Sequence, residues 1–239
     1  MERWSDGVIS LYLSLSLSLI SVTNNDLPEA FQRLRAAAKQ WVVPMVYAMK
    51  QKGATAYEIL IASLLSARTL DTTTMVVYPE LFKLADTPQK MVKLSEPEIE
   101  HVIRRVAFSR AKAKQIQALS QILLGKYDGR VPATIQELDE LPGVGRKIAN
   151  LTVTMAFDQP GITVDTHVHR IVNRWGYVRT KTPDQTELAL REQLPAQYWI
   201  EINGLLIPLG QNICRPTGPK CSVCPINEFC DKVGVGKSR

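Results

Sequence analysis

Apolar residues recur at helical spacing along most of this chain. In residues 28–50 they fall at Phe31, Leu34, Ala38, Trp41, Val42 and Met45, the stripe of an amphipathic helix, with Pro44 positioned to bend or break it. Residues 57–67 are almost wholly apolar (Ile59, Leu60, Ile61, Leu64, Leu65), which predicts a central helix buried on all sides. Ser95 with Glu98, Thr134 with Glu137, and Thr182 with Gln185 fit capping boxes, and Pro183 suits a first helical position. Gly125 and Gly129 are expected to bracket a helix exit. Period-two alternation occurs in residues 11–21, where leucines alternate with serines, and in a short stretch over residues 161–164. The pattern predicts an all-α protein.

The run Leu141-Pro142-Gly143-Val144-Gly145-Arg146-Lys147 separates two helical patterns, residues 135–141 and 147–157. Pro142 and Gly143 favour a tight turn, and Gly143 and Gly145 leave the backbone bare. N–H groups presented at a helix N-terminus make an anion site that a DNA phosphate fits. The simpler reading is a loop with Lys147 in solvent. A helix–hairpin–helix of this kind grips phosphate without reading sequence. Further along, Asp165 follows an extended stretch and precedes the helical pattern of Val168, Ile171, Val172 and Trp175. Such an aspartate is first of all an N-cap, a role that leaves carboxylate lone pairs free. His167 and His169 are two apart, a spacing that favours contact or packing over metal ligation.

Charge and cysteines narrow the picture. The chain has 239 residues, is 45% hydrophobic and 22% charged, and carries a net charge of +6, enough apolar material for one large or two small domains. Residues 1–26 hold one base (Arg3) and three acids (Glu2, Asp6, Asp26), so the basic excess lies in the remainder and suggests a polyanionic partner. Arg104, Arg105, Arg110, Lys112 and Lys114 are candidates for a phosphate-facing strip or a solvated helix face. The first 26 residues are too short and polar in their apolar part to span a membrane and lack a signal-peptide pattern. They are read as a dispensable leader. All four cysteines cluster as Cys214-x6-Cys221-x2-Cys224-x5-Cys230. Four close thiolates mean a metal site, either tetrahedral zinc or a four-iron, four-sulfur cluster. Their absence elsewhere suits a reducing compartment.

Taken together, the hairpin with Lys147, the Val164-Asp165-Thr166-His167 segment and the terminal cysteine loop resemble the endonuclease III DNA glycosylases over roughly residues 55–232. The resemblance implies a 4Fe-4S cluster on Cys214, Cys221, Cys224 and Cys230. It implies two helical domains, a six-helix domain at 54–162 and a cluster domain from 27–53 plus 163–239, with a DNA cleft between them. Lys147 would be the nucleophile at the sugar C1′ and Asp165 the group that stabilises the cationic sugar. Leu141, Gly143, Val144, Gly145, Arg146, His167, Arg68, Ser66 and Asp71 would contact DNA. Lys147 must act as a neutral amine, yet at a pKa of ~10.4 only about one lysine in 2,500 is neutral at pH 7. Arg146 and the helix N-terminus would favour the neutral form.

The implied activity is removal of oxidised pyrimidines from double-stranded DNA with β-elimination at the abasic site. The implied agent is a monomer in a prokaryotic-type cytoplasm, at the nucleoid and apart from membranes. Two departures stand out. In Ser66-Ala67-Arg68-Thr69-Leu70-Asp71 the family's usual gap-filling Gln is Arg68, so the opposite-base preference does not carry over. Ala107-Phe108 stands where Gly and an aliphatic residue are common, with Phe108 either a wedge or core. Alternatives are a mismatch glycosylase for thymine, uracil or adenine, or a non-catalytic iron–sulfur DNA-binding protein. Lys147, and Ala62 where the adenine enzymes carry a catalytic Glu, weigh against the mismatch reading.

Overall fold

The computed structural model describes residues 22–239, and among them every regular element is helical. The twelve α-helices are α1 (Leu27–Ala38), α2 (Met45–Gln51), α3 (Ala56–Ser66), α4 (Asp71–Leu84), α5 (Pro88–Met91), α6 (Glu96–Ile103), α7 (Ser109–Tyr127), α8 (Ile135–Asp139), α9 (Arg146–Phe157), α10 (Thr166–Trp175), α11 (Pro183–Gln193) and α12 (Trp199–Asn212). The all-α expectation is met. The leucine–serine alternation of residues 11–21 lies outside the described residues.

Local chemistry explains the boundaries. The continuous helix expected over residues 28–50 is two helices, because Pro44 lacks an N–H and adopts the extended conformation that precedes α2. Val42, in the connection, is 80% exposed. Thr55 and Glu58 form a full capping box at the start of α3, one that the sequence reading passed over. Ser95 with Glu98 does the same for α6. Thr134 and Thr182 accept from the N–H groups of Glu137 and Gln185 at 3.3 and 3.2 Å, so both cap. Gly125 and Gly129 bracket the exit of α7 as expected: the helix ends at Tyr127 and is followed by Asp128 and Gly129, both left-handed (φ 54° and 76°). Residues 161–164 form no strand.

Two apolar cores organise the helices. The first is built from α3 to α9, with Leu60, Ile61, Leu64, Leu81, Met91, Ile103, Ile116 and Leu119 fully buried. The second is built from α1 and α10 to α12, around Phe31, Val168, Ile171, Val172, Leu206 and Leu209. Val22 is buried in this second core, and Asn24 accepts from the Tyr177 hydroxyl at 2.7 Å. Val22 and Asn24 thus tie residues 22–26, read above as the end of a leader, to the second core. Helix α2, grouped by the resemblance with the cluster half, packs its Met45, Val46 and Met49 on Ile59 of α3 and Leu151 and Met155 of α9. It also reaches α12, where the Tyr47 hydroxyl donates to the Ile200 carbonyl at 3.3 Å. The helix therefore bridges the two cores along one side of an open cleft.

Candidate active site and cysteine loop

That cleft has a volume of about 1340 Å³ including its open mouth. Its lining brings together residues far apart in sequence: Ser66, Arg68 and Asp71 from the α3–α4 connection, Lys147 of α9, and Asp165 and His167 at the start of α10. Each of these was expected at the site from the sequence. Tyr47 and Asn203, which carried no sequence signal, also line it.

Lys147 is the second residue of α9, placed there by a turn that ends at Gly145. Gly143 holds a left-handed φ of 78°, where a Cβ would come within 2.6 Å of the Gln115 side chain. At Gly145 a Cβ would meet nothing within 4 Å, so the backbone lies open to an approaching group. No side chain caps α9. The N–H groups of Gly143, Gly145, Arg146 and Lys147 find no acceptor among the described residues. Leu141 and Val144 behave differently from the DNA contacts expected of them. They are 3% and 5% exposed within the first core, and the Val144 N–H donates to the Leu141 carbonyl at 3.0 Å. Their side chains hold the turn from beneath.

Asp165 is the N-cap of α10. Its Oδ1 accepts from the N–H groups of His167 and Val168, both at 2.9 Å. Its Oδ2 accepts no hydrogen bond among the described residues, and Asp165 lines the cleft together with Lys147. His167 Nδ1 lies 3.1 Å from the Arg170 guanidinium. Burial first, then the nearby Arg170 and Lys147 charges, lower its pKa against the opposing pull of Asp165 and Asp71. It stands as a neutral ring at pH 7. His169 also titrates low through burial, and its Nδ1 is 2.6 Å from Thr186 Oγ1, so it packs rather than ligates.

Arg146 is not the free cation that the sequence places beside Lys147. Its Nε donates to Glu187 at 3.1 Å, and Glu187, 4% exposed, also binds Arg191. Arg191 continues to Asn150 Oδ1 at 2.8 Å, and Asn150 Nδ2 donates to the Arg146 carbonyl at 2.9 Å. This network, centred on the buried Glu187, ties the start of α9 to α11. Elsewhere, Arg104, Arg105, Arg110 and Lys114 are exposed, but Lys112 is not. Phe108 is 62% exposed, which excludes the core reading.

The four cysteines line one small pocket, about 370 Å³ including its open mouth, together with Ile171, Trp175, Leu209 and Lys220. Arg174 donates to Cys214 Sγ at 3.4 Å, and Arg170 donates to the Cys214 carbonyl at 3.0 Å. Burial, with some repulsion from neighbouring sulfurs, raises the Cys224 thiol to about 12 and Cys230 to about 11. Among the described residues no three His, Cys, Asp or Glu side chains converge as ligands of one metal ion. No described helix is long and apolar enough to cross a membrane.

Comparison with known proteins accounts for this architecture. Residues 61–196 match the family model of the HhH-GPD superfamily base excision DNA repair protein. The chain is 42% identical over 175 residues to endonuclease III of Thermotoga maritima, covering 73% of this chain and 82% of that one. It is 41% identical over 177 residues to endonuclease III-like protein 1 of Bos taurus, covering 73% of this chain and 58% of the relative. A solved structure of a trapped endonuclease III–DNA covalent intermediate, an estranged-adenine complex, superposes with a TM-score of 0.78 at 32% identity, covering 87% of this chain and 96% of the other. A thermostable thymine-DNA glycosylase, at 22% identity and a TM-score of 0.67, shares the fold. The hairpin and cleft thus define a base excision DNA repair protein of the HhH-GPD superfamily. Within that class the chain belongs to the endonuclease III family, whose members are DNA glycosylases and abasic-site lyases.

Proposed function

We propose that this enzyme removes oxidised pyrimidines from double-stranded DNA and cuts the abasic strand by β-elimination. The observation that carries the reading is that Lys147 and Asp165, each at the start of its own helix, open into one cleft. The unpartnered N–H groups of the hairpin suit a phosphate beside the lesion, and the flipped nucleotide enters the cleft. The neutral Lys147 amine attacks C1′, and the bond to the base breaks with its electrons leaving on the base. The amine loses a proton, the sugar ring opens, and an imine joins Lys147 to the sugar. Loss of a C2′ proton then expels the 3′ phosphate, and water releases Lys147. Asp165 Oδ2 stabilises the cationic sugar and relays protons, while Oδ1 stays committed to the helix. His167 contributes a neutral donor or acceptor at the same wall.

Cys214, Cys221, Cys224 and Cys230 would hold a 4Fe-4S cluster. The donor set fits: four cysteines, the all-thiolate ligation such a cluster takes, line one pocket beside Arg174 and Lys220. Such a cluster would cross-link the cysteine loop to itself where it packs beside Ile171 and Trp175 of α10. The six-helix and cluster domains, a monomeric state and a cytoplasmic, nucleoid-associated location belong to the same reading. Duplexes carrying thymine glycol, dihydrouracil, uracil, mismatched adenine or an abasic site test it. Excision of the two oxidised or reduced pyrimidines with strand cutting is expected. Release of mismatched bases alone, without strand cutting, would contradict it.

A further inference from the structure

Lys112 is a lysine in an unusual place. It is 5% exposed, yet its ammonium is fully engaged. Nζ donates to the Leu65 carbonyl at 2.8 Å, the Ala67 carbonyl at 2.7 Å and Thr69 Oγ1 at 3.3 Å. These acceptors are the free end of α3, where the last carbonyls of a helix lack partners and carry partial negative charge. Thr69 Oγ1 in turn accepts from the Ala107 N–H at 3.1 Å. The ammonium thus holds residues 67–70 directly and, through Thr69, is linked to residues 104–108. Each connection presents one left-handed non-glycine residue, Arg68 (φ 56°) and Phe108 (φ 59°). The Arg68 guanidinium sits 5.8 Å from the Phe108 ring centre, and Phe108 projects into solvent beside the cleft-lining loop.

We infer that Lys112 is a positioning residue that locks the Arg68 and Phe108 loops into one rigid wedge for entry into the duplex. The inference rests on the proposed reading, in which the lesion is flipped and the gap must be filled. Prying a base step apart is costly, and a loop that had to order itself at that moment would add its own conformational entropy to the cost. Left-handed backbone at Arg68 and Phe108 persists only when the surroundings hold it. Lys112 and Thr69 supply that hold from beneath, without touching DNA.

A double-mutant cycle on the full chain, read as single-turnover excision from a thymine glycol duplex, tests this. Lys112→Met is expected to slow excision about tenfold in the wild-type background and less than about twofold in Arg68→Ala/Phe108→Ala, because the wedge it serves is already gone. Thr69→Val removes the acceptor of the Ala107 N–H and one of the three Lys112 contacts, leaving the two carbonyls, and should show a smaller loss with the same background dependence. It decides the matter if Lys112→Met fails to fold. Equal slowing in both backgrounds, or no slowing of the folded variants, would leave Lys112 a helix-end partner and overturn the wedge. Wild-type protein that excises no oxidised pyrimidine would instead overturn the functional reading, and the wedge with it.

Discussion

Replacing Glu187 with alanine probes how the hairpin is anchored. Its carboxylate is 4% exposed and is the shared partner of Arg146, which opens α9, and Arg191 on its own helix. Removing it leaves two guanidiniums facing each other across a half-buried space. Breaking a buried ion pair from one side costs about 3–5 kcal/mol, and Arg146, 41% exposed at its side chain, recovers part of that by turning to water. A net loss of about 2–4 kcal/mol follows, which for a domain of 150–250 residues lowers Tm by about 4–16 °C. Arg146→Ala should cost less, since Glu187 keeps Arg191. Calorimetry at neutral pH reads both. A Glu187→Ala melting point within about 2 °C of wild type, or a larger loss in Arg146→Ala, would refute the anchor.

Other parts of the site give separate tests. Asp165→Asn retains the cap on His167 and Val168 and should melt near wild type but lose excision, whereas Asp165→Ala should also lose about 1 kcal/mol of stability; an active Asp165→Asn would remove the carboxylate from the chemistry. Gly143→Ala forces a side chain into left-handed backbone and against Gln115, so it should cost about 1–2 kcal/mol and weaken binding to all duplexes alike by fluorescence anisotropy. His167 and His169 titrate below their ordinary value in the fold, so the unfolded chain takes up protons first as pH falls through 6.5. Their stabilising contribution is therefore lost on acidification, and His169→Asn should show a smaller drop in urea midpoint between pH 7.5 and 5.5 than wild type.

What the sequence made legible was local. The hairpin glycines, the Asp165 cap, the buried α3 and the cysteine spacing are all patterns within a few residues, fixed by turn chemistry and periodicity. What it hid depends on long-range partners. Lys112 reads as one more base in an exposed strip, because its carbonyl acceptors lie more than forty residues earlier at the end of α3. Arg146 reads as a free cation, because Glu187 is 41 residues away. Leu141 and Val144 read as DNA contacts because they belong to the motif, yet only the fold reveals that they face the core.

The central claim is that Lys147 forms the covalent bond to the sugar. Borohydride added during reaction with an abasic-site duplex would reduce the imine and fix the protein to DNA. The account requires a covalent product in the wild type that peptide mapping assigns to Lys147. It also requires loss of that product in Lys147→Ala, with duplex binding kept. An undiminished product in Lys147→Ala, or an adduct mapped to another residue, would contradict it.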